Sequence, residues 1–240
     1  MDKNCFENQI YNPAFLSSAF LRGIAFGKGV SQFNNGVAIM SIKNKEDIVL
    51  AIKKAYIDMS PRTFKKIDTW WNNKNNAKSG NERKKDVEKA WQDAKKELFE
   101  WLASAFYTYF QNECNDFNKW HQTICDQFLK KFKPILSQYG YDADSSLKYG
   151  KAQKIVNMTF KYLFCFDDAN QYNTKFNECH MPIDSYILKW YGDISGDKRK
   201  LVWSDLEKEE YYELQGNIKS ILGKNNPFLA EFYIWAEYNR

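Results

Sequence analysis

Val87-Glu88-Lys89-Ala90-Trp91-Gln92-Asp93-Ala94-Lys95-Lys96-Glu97-Leu98-Phe99-Glu100-Trp101-Leu102 is the stretch whose pattern decides the fold class. Val87, Ala90, Trp91, Ala94, Leu98, Trp101 and Leu102 recur at spacings of three and four, the period of a helix with one apolar face. The pattern predicts a helix from Glu82 to Gln111. Between Glu82 and Glu100 it carries six basic and six acidic residues, which read as a solvated face of i,i+4 pairs. Its second half, Ala103 to Phe110, is apolar nearly all round and is expected to be buried.

The same period recurs on both sides. Ile48, Ala51, Ile52 and Ala55 predict a helix from Glu46 to Met59, stopped before Pro61. Arg62 to Trp71 offers another, followed by an exposed loop over Lys74–Glu82. Trp120, Ile124, Phe128 and Phe132 mark a helix from Phe117 to Gln138 that Pro134 is expected to kink or end. A loop over Tyr139–Ser146 precedes a helix from Lys151 to Phe166, and a polar loop spans Asp167–Cys179. Pro182 opens a short helix reaching Tyr191. Ser204-Asp205-Leu206-Glu207 fits a capping box for a helix ending near Gly223, and Phe228–Trp235 closes the chain as a helix or extended piece. No segment alternates at period two, so the expected class is all-α. The first forty residues carry no clear pattern.

Composition sets the outer bounds. The 240 residues include 44% hydrophobic and 17% aromatic side chains, enough to build a core and exclude a wholly disordered chain. Eleven Gly and five Pro exclude a collagen-like or linker-rich chain. No apolar run approaches a membrane span, and Met1-Asp2-Lys3-Asn4 does not open a secretory signal. Five widely spaced cysteines (Cys5, Cys114, Cys125, Cys165, Cys179) suit a reduced cytoplasm, the expected location. The net charge of +5 permits a polyanionic partner.

Chemistry concentrates in Leu147-Lys148-Tyr149-Gly150-Lys151-Ala152-Gln153-Lys154-Ile155-Val156-Asn157-Met158. A glycine and a small alanine stand just before a predicted helix start, where outward N–H groups and the helix dipole suit a phosphate. Lys148, Lys151, Lys154 and Lys161 share a segment without an acid from Ser145 to Phe166, a local excess of positive charge. The plainer reading is a glycine turn with lysines facing water. Downstream, Met181-Pro182-Ile183-Asp184 sets an acid at a helix start, where it serves equally well as a cap.

Together these elements resemble the helix-hairpin-helix DNA glycosylases, most closely the archaeal 8-oxoguanine glycosylase branch. In that family a Gly-x-Gly-x-Lys hairpin leads into a helix, and a Val/Ile-Pro-Val/Ile-Asp motif follows. The matching residues are Gly150, Ala152 and Lys154, then Pro182, Ile183 and Asp184. The match covers Leu147 to Trp190, within a segment 147–191 of hairpin, lysine helix and aspartate motif; the usual Leu-Pro before the hairpin is Lys148-Tyr149 here, and the second glycine is Ala152.

The resemblance implies one compact helical domain of two packed lobes over residues 1–240, with a cleft between them. It implies base-excision repair: a DNA glycosylase and AP lyase that flips a damaged base, such as an oxidised purine, out of double-stranded DNA. Lys154 is then the nucleophile at sugar C1′, and Asp184 orients or deprotonates it. Lys148, Gly150, Lys151, Ala152, Gln153 and His180 become DNA contacts. No cofactor or metal is implied, and the chain is expected to act as a monomer, near the nucleoid when bound to DNA. A stacking or wedge ring is expected among Trp70, Trp71, Trp190, Trp203 and Trp235. The alternative is a non-catalytic helical module that binds nucleic acid or another protein.

Two other groupings carry less chemistry. His121 and Cys125 lie i,i+4 near Cys114, but no fourth zinc ligand is evident. Cys179-His180 juxtaposes a thiol and an imidazole, but adjacent side chains diverge.

Overall fold

The computed structural model describes residues 39–59, 81–112, 116–138 and 142–238, without the side chains of 81–88. Among the described residues every regular element is helical and no strand occurs. The helix expected over Arg62–Trp71, residues Trp70 and Trp71, and Cys114 lie outside them.

Helices α1 (Lys45–Met59), α2 (Asn81–Gln111) and α3 (Phe117–Gln138) form the first part of the molecule. A short α4 (Ala143–Ser146) leads into α5 (Tyr149–Leu163), followed by α6 (Asn173–Phe176), α7 (Ser185–Ser195), α8 (Lys208–Leu222) and α9 (Pro227–Tyr238). The centre is α5. Every residue in it except Lys161 is buried, and it packs against α1, α3, α8 and a 3-10 turn at Trp203–Asp205. Buried apolar residues from Ile42 to Ile234 join one continuous core. Phe160 of α5 sits among the rings of Phe106, Tyr109, Phe110, Phe117 and Trp120, at centroid distances of 4.8–5.9 Å. Such aromatic clusters combine large buried area with favourable edge-to-face contact.

Several boundaries move for identifiable reasons. The second half of α2 is one-sided: Phe106, Tyr109 and Phe110 are buried, while Thr108 is exposed and Tyr107 half-buried. Helix α3 continues through Pro134 to Gln138. Helix α5 begins at Tyr149 rather than Lys151, so Gly150 and Ala152 belong to its first turn. Two short helical pieces interrupt the polar 167–179 segment. Asp168 anchors that segment by accepting from the Ile42 N–H at 2.9 Å. The capping box lies three residues later than the sequence suggests. Glu207 precedes α8, and its N–H donates to the Glu210 carboxylate at 2.9 Å, while the Ser204 hydroxyl turns to Asp205.

Gly150 fixes how closely the 3-10 turn approaches α5. Its N–H donates to the Leu206 carbonyl at 2.9 Å, and a Cβ on it would stand 1.9 Å from the Trp203 carbonyl oxygen. That oxygen belongs to the backbone, so the turn must move as a whole. Gly150→Ala is therefore expected to destabilise the protein by about 1–3 kcal/mol through overpacking, read as a lower urea midpoint. An unchanged midpoint would show that the 203–206 segment is not seated on α5.

Candidate active site

An irregular segment, Met181 to Asp184, lies against α5 with no strand partner among the described residues, so side chains must satisfy its buried backbone. Gln153, itself fully buried, does most of this. Its Nε2 donates to the Ile183 carbonyl at 3.0 Å, and its Oε1 accepts from the Ile183 N–H at 3.3 Å. Gln215 donates to the Met181 carbonyl at 2.6 Å. Pro182 has no N–H to satisfy.

One residue further along both α5 and this segment, Lys154 Nζ donates to Asp184 Oδ2 at 2.9 Å. The side chains are 6% and 14% exposed. Asp184 is also the N-cap of α7, its Oδ1 accepting from the N–H groups of Tyr186 and Ile187 at 2.9 and 3.0 Å. Burial pushes this carboxyl upward, but Lys154 and the Ile187 N–H outweigh it and hold it below the usual range. The Trp203 ring centroid lies 6.0 Å from Lys154 Nζ. Trp203 and Ser185, which follows Asp184, also line an open cleft of ≈ 470 Å³ with Leu188, Lys189 and Lys200. Arg199, on the same cleft, is engaged by Asp197 at 2.8 Å and Glu213 at 3.0 Å.

A second ion pair lies two helical turns along α5. Lys161 Nζ sits 2.8 Å from Glu231 Oε1 and 2.6 Å from Oε2; only Oε1 lies in hydrogen-bonding line. Glu231, on α9, is fully buried. Its desolvation raises the carboxyl above its ordinary range despite the opposing charge of Lys161. The Lys161 amine is flanked by the Phe232 and Trp235 rings at 4.9 and 5.2 Å.

The other residues assigned to DNA are placed differently. Gly150, Lys151, Ala152 and Gln153 are buried, with the 203–206 strap seated on the helix start. The Gly150 N–H points to Leu206, so it offers no phosphate a donor. Lys151 Nζ is bound to the Ser146 carbonyl, and burial lowers its pKa. Lys148, at the surface, pairs with Glu207 at 2.7 Å. In this structure, therefore, the segment 149–153 is buried, and the Lys148, Lys154 and Lys161 charges are paired with acids from elsewhere in the chain.

His180 joins an interior network and neither lines the open cleft nor meets the Lys154–Asp184 pair. Its Nδ1 lies 2.8 Å from Tyr211 Oη and its Nε2 2.7 Å from Asn118 Oδ1. The Tyr211 oxygen also accepts from Asn157 Nδ2 at 2.9 Å, the same Nδ2 donates to Gln153 Oε1 at 2.9 Å, and His121 Nε2 meets Asn157 Oδ1 at 3.0 Å. Sequence reasoning missed Asn157, Tyr211 and Gln215, whose only signal is a polar residue on an otherwise apolar helix face. Cys179 is buried and donates to the Lys175 carbonyl, its thiol raised by burial, so Cys179-His180 forms no nucleophilic dyad. Among the described residues no group of three metal-ligating side chains occurs, and no helix is long and apolar enough to cross a membrane.

Both histidines are held neutral. Burial, then the His180 charge, lowers His121 well below its ordinary value despite the bond to Asn157. Burial, then Lys219, lowers His180 to about 3. The unfolded chain binds these protons near pH 6.5 and the fold does not, so stability falls as pH drops below that range. A lower urea midpoint at pH 5 than at pH 7.5 is expected, and His180→Asn should reduce the difference.

Compared with known proteins, the chain matches no family model, no curated protein and no solved structure.

Proposed function

We propose that the protein is a lysine-dependent base-excision enzyme: a DNA glycosylase with AP-lyase activity, as the resemblance of Gly150–Lys154 and Pro182–Asp184 implies. The observation that carries this reading is the Lys154–Asp184 pair, 2.9 Å apart at a helix N-cap beside an open cleft. An amine and a carboxylate held in contact are the two groups that this chemistry needs.

The steps follow from these two groups. Asp184 takes a proton from Lys154 as the bound substrate excludes water from the pair. The neutral amine forms a bond to C1′ while the C1′–base bond breaks, and the base leaves with the electron pair and takes the proton that Asp184 holds, which returns Asp184 to its anionic form. The bonded nitrogen carries two protons; one passes to O4′ as the C1′–O4′ bond breaks, which gives a protonated imine. Loss of a C2′ proton then expels the 3′ phosphate. Asp184, fixed by the Tyr186 and Ile187 amides, also opposes the positive charge that grows on the sugar. Trp203 borders both Lys154 and the cleft, and the surroundings of an amine this little exposed must rearrange for a sugar to reach it.

A second reading rests on that burial: the pair is a structural staple in a non-catalytic helical module that binds nucleic acid or protein. Borohydride reduction against a panel of lesion-bearing duplexes separates the two. The enzyme gives a covalent adduct at Lys154. The module gives none, and if it binds nucleic acid its affinity falls steeply with salt.

A further inference from the structure

We infer that Gln153 is a positioning residue, which sets the distance between the Lys154 amine and the Asp184 carboxylate rather than touching a nucleic acid. The inference rests on that pair being the reacting one.

The two sides of the contact are consecutive residues. On α5, Gln153 grips the main chain of Ile183 from both directions, and Lys154 meets the side chain of Asp184, one position on. The clamp therefore fixes the backbone directly preceding the acid. Gln153 cannot easily swing away. Its Nε2 also donates to the Gly150 carbonyl at 2.9 Å, and its Oε1 also accepts from Asn157 Nδ2 at 2.9 Å. Asn157 is in turn held by His121 and Tyr211. A fully buried amide whose donors and acceptor are all engaged has one low-energy orientation. Without it, the Ile183 main chain loses this hold, and upstream of the α7 cap bonds at Asp184 the segment keeps Gln215 on Met181, three residues before Asp184.

Gln215 thus supplies the control, since it holds the same segment without adjoining the pair. Gln153→Met keeps the volume and removes the clamp; Gln153→Glu keeps an acceptor and removes both donations. Two measurements apply to each variant and to Gln215→Ala: the single-turnover rate of borohydride trapping on an abasic duplex, and the titration of the Asp184 carboxyl carbon by NMR. Both Gln153 variants are expected to lose about 10²-fold in trapping rate, the scale of a misplacement near 1 Å. In both, the Asp184 titration moves up toward the ordinary carboxyl range as contact with Lys154 loosens. Gln215→Ala lowers the denaturation midpoint but leaves rate and titration unchanged. Equal rate losses in Gln153 and Gln215 variants, with an unmoved titration, would overturn the assignment. If the natural chain traps no DNA, the glycosylase reading fails, while the titration still decides whether Gln153 sets the pair. If the Gln153 variants do not fold, amide exchange of Ile183 in the natural chain decides: protection matching that of α5 supports the clamp, and rapid exchange overturns it.

Discussion

Lys154→Gln abolishes the borohydride-trapped adduct on every lesion duplex that traps the natural chain. Glutamine is one bond shorter and remains a hydrogen-bond donor, but it has no amine to bond C1′. The fold should survive, because Asp184 retains the Tyr186 and Ile187 amides that make it the cap of α7. Asp184→Asn is the complementary change. Asparagine is a good N-cap, so the helix start is preserved while the negative charge is removed. Trapping should slow by about 10²–10⁴-fold, the contribution of one positioned acid–base group, with duplex affinity and its salt dependence unchanged. The pair also leaves a mark on stability. Asp184 titrates below its unfolded value, so it stabilises the fold at neutral pH, and that contribution disappears as pH falls through the native value. Lys154→Gln should flatten this acid-side loss. An adduct of undiminished yield in Lys154→Gln would remove Lys154 from the chemistry altogether.

Much of the helical layout was legible because it depends on local spacing. The face of α1 (Ile48, Ala51, Ile52, Ala55 and Met59) is read directly from intervals of three and four. Asp184 as an acid at a helix start was legible for a similar reason, since capping is a local hydrogen-bonding rule, although the helix begins at Ser185 rather than at Pro182. The fate of the lysines was not. From Ser145 to Phe166 the sequence contains no acid, so charge counting along the chain gives a basic patch. Glu207, Asp184 and Glu231 arrive from 59, 30 and 70 residues away to pair with Lys148, Lys154 and Lys161. Gly150 shows the same limit in the backbone. Its N–H looks available at a helix start, but Leu206, brought in by the fold, occupies it. Composition within a window measures the charge a segment carries. Its exposure is decided by partners distant in sequence.

Lys161→Met should be among the most destabilising single changes, because it leaves Glu231 buried against α5 without its cation. Breaking one side of a buried pair costs about 3–5 kcal/mol, far more than the pair contributes relative to an apolar replacement. The double variant Lys161→Met/Glu231→Leu removes both charges and should recover most of that loss, a strongly non-additive result. The pH dependence distinguishes this cause from lost packing. Glu231 already titrates above its unfolded value because of burial, and losing Lys161 raises it further. The native single variant then holds a proton that the unfolded chain releases, so its stability falls as pH rises through the range between the two values. Urea midpoints for Lys161→Met should therefore fall, relative to the natural chain, between acid and neutral pH, whereas the double variant should track the natural chain. A uniform deficit at all pH values would instead assign the loss to the Lys161 methylenes and their contacts with Phe232 and Trp235.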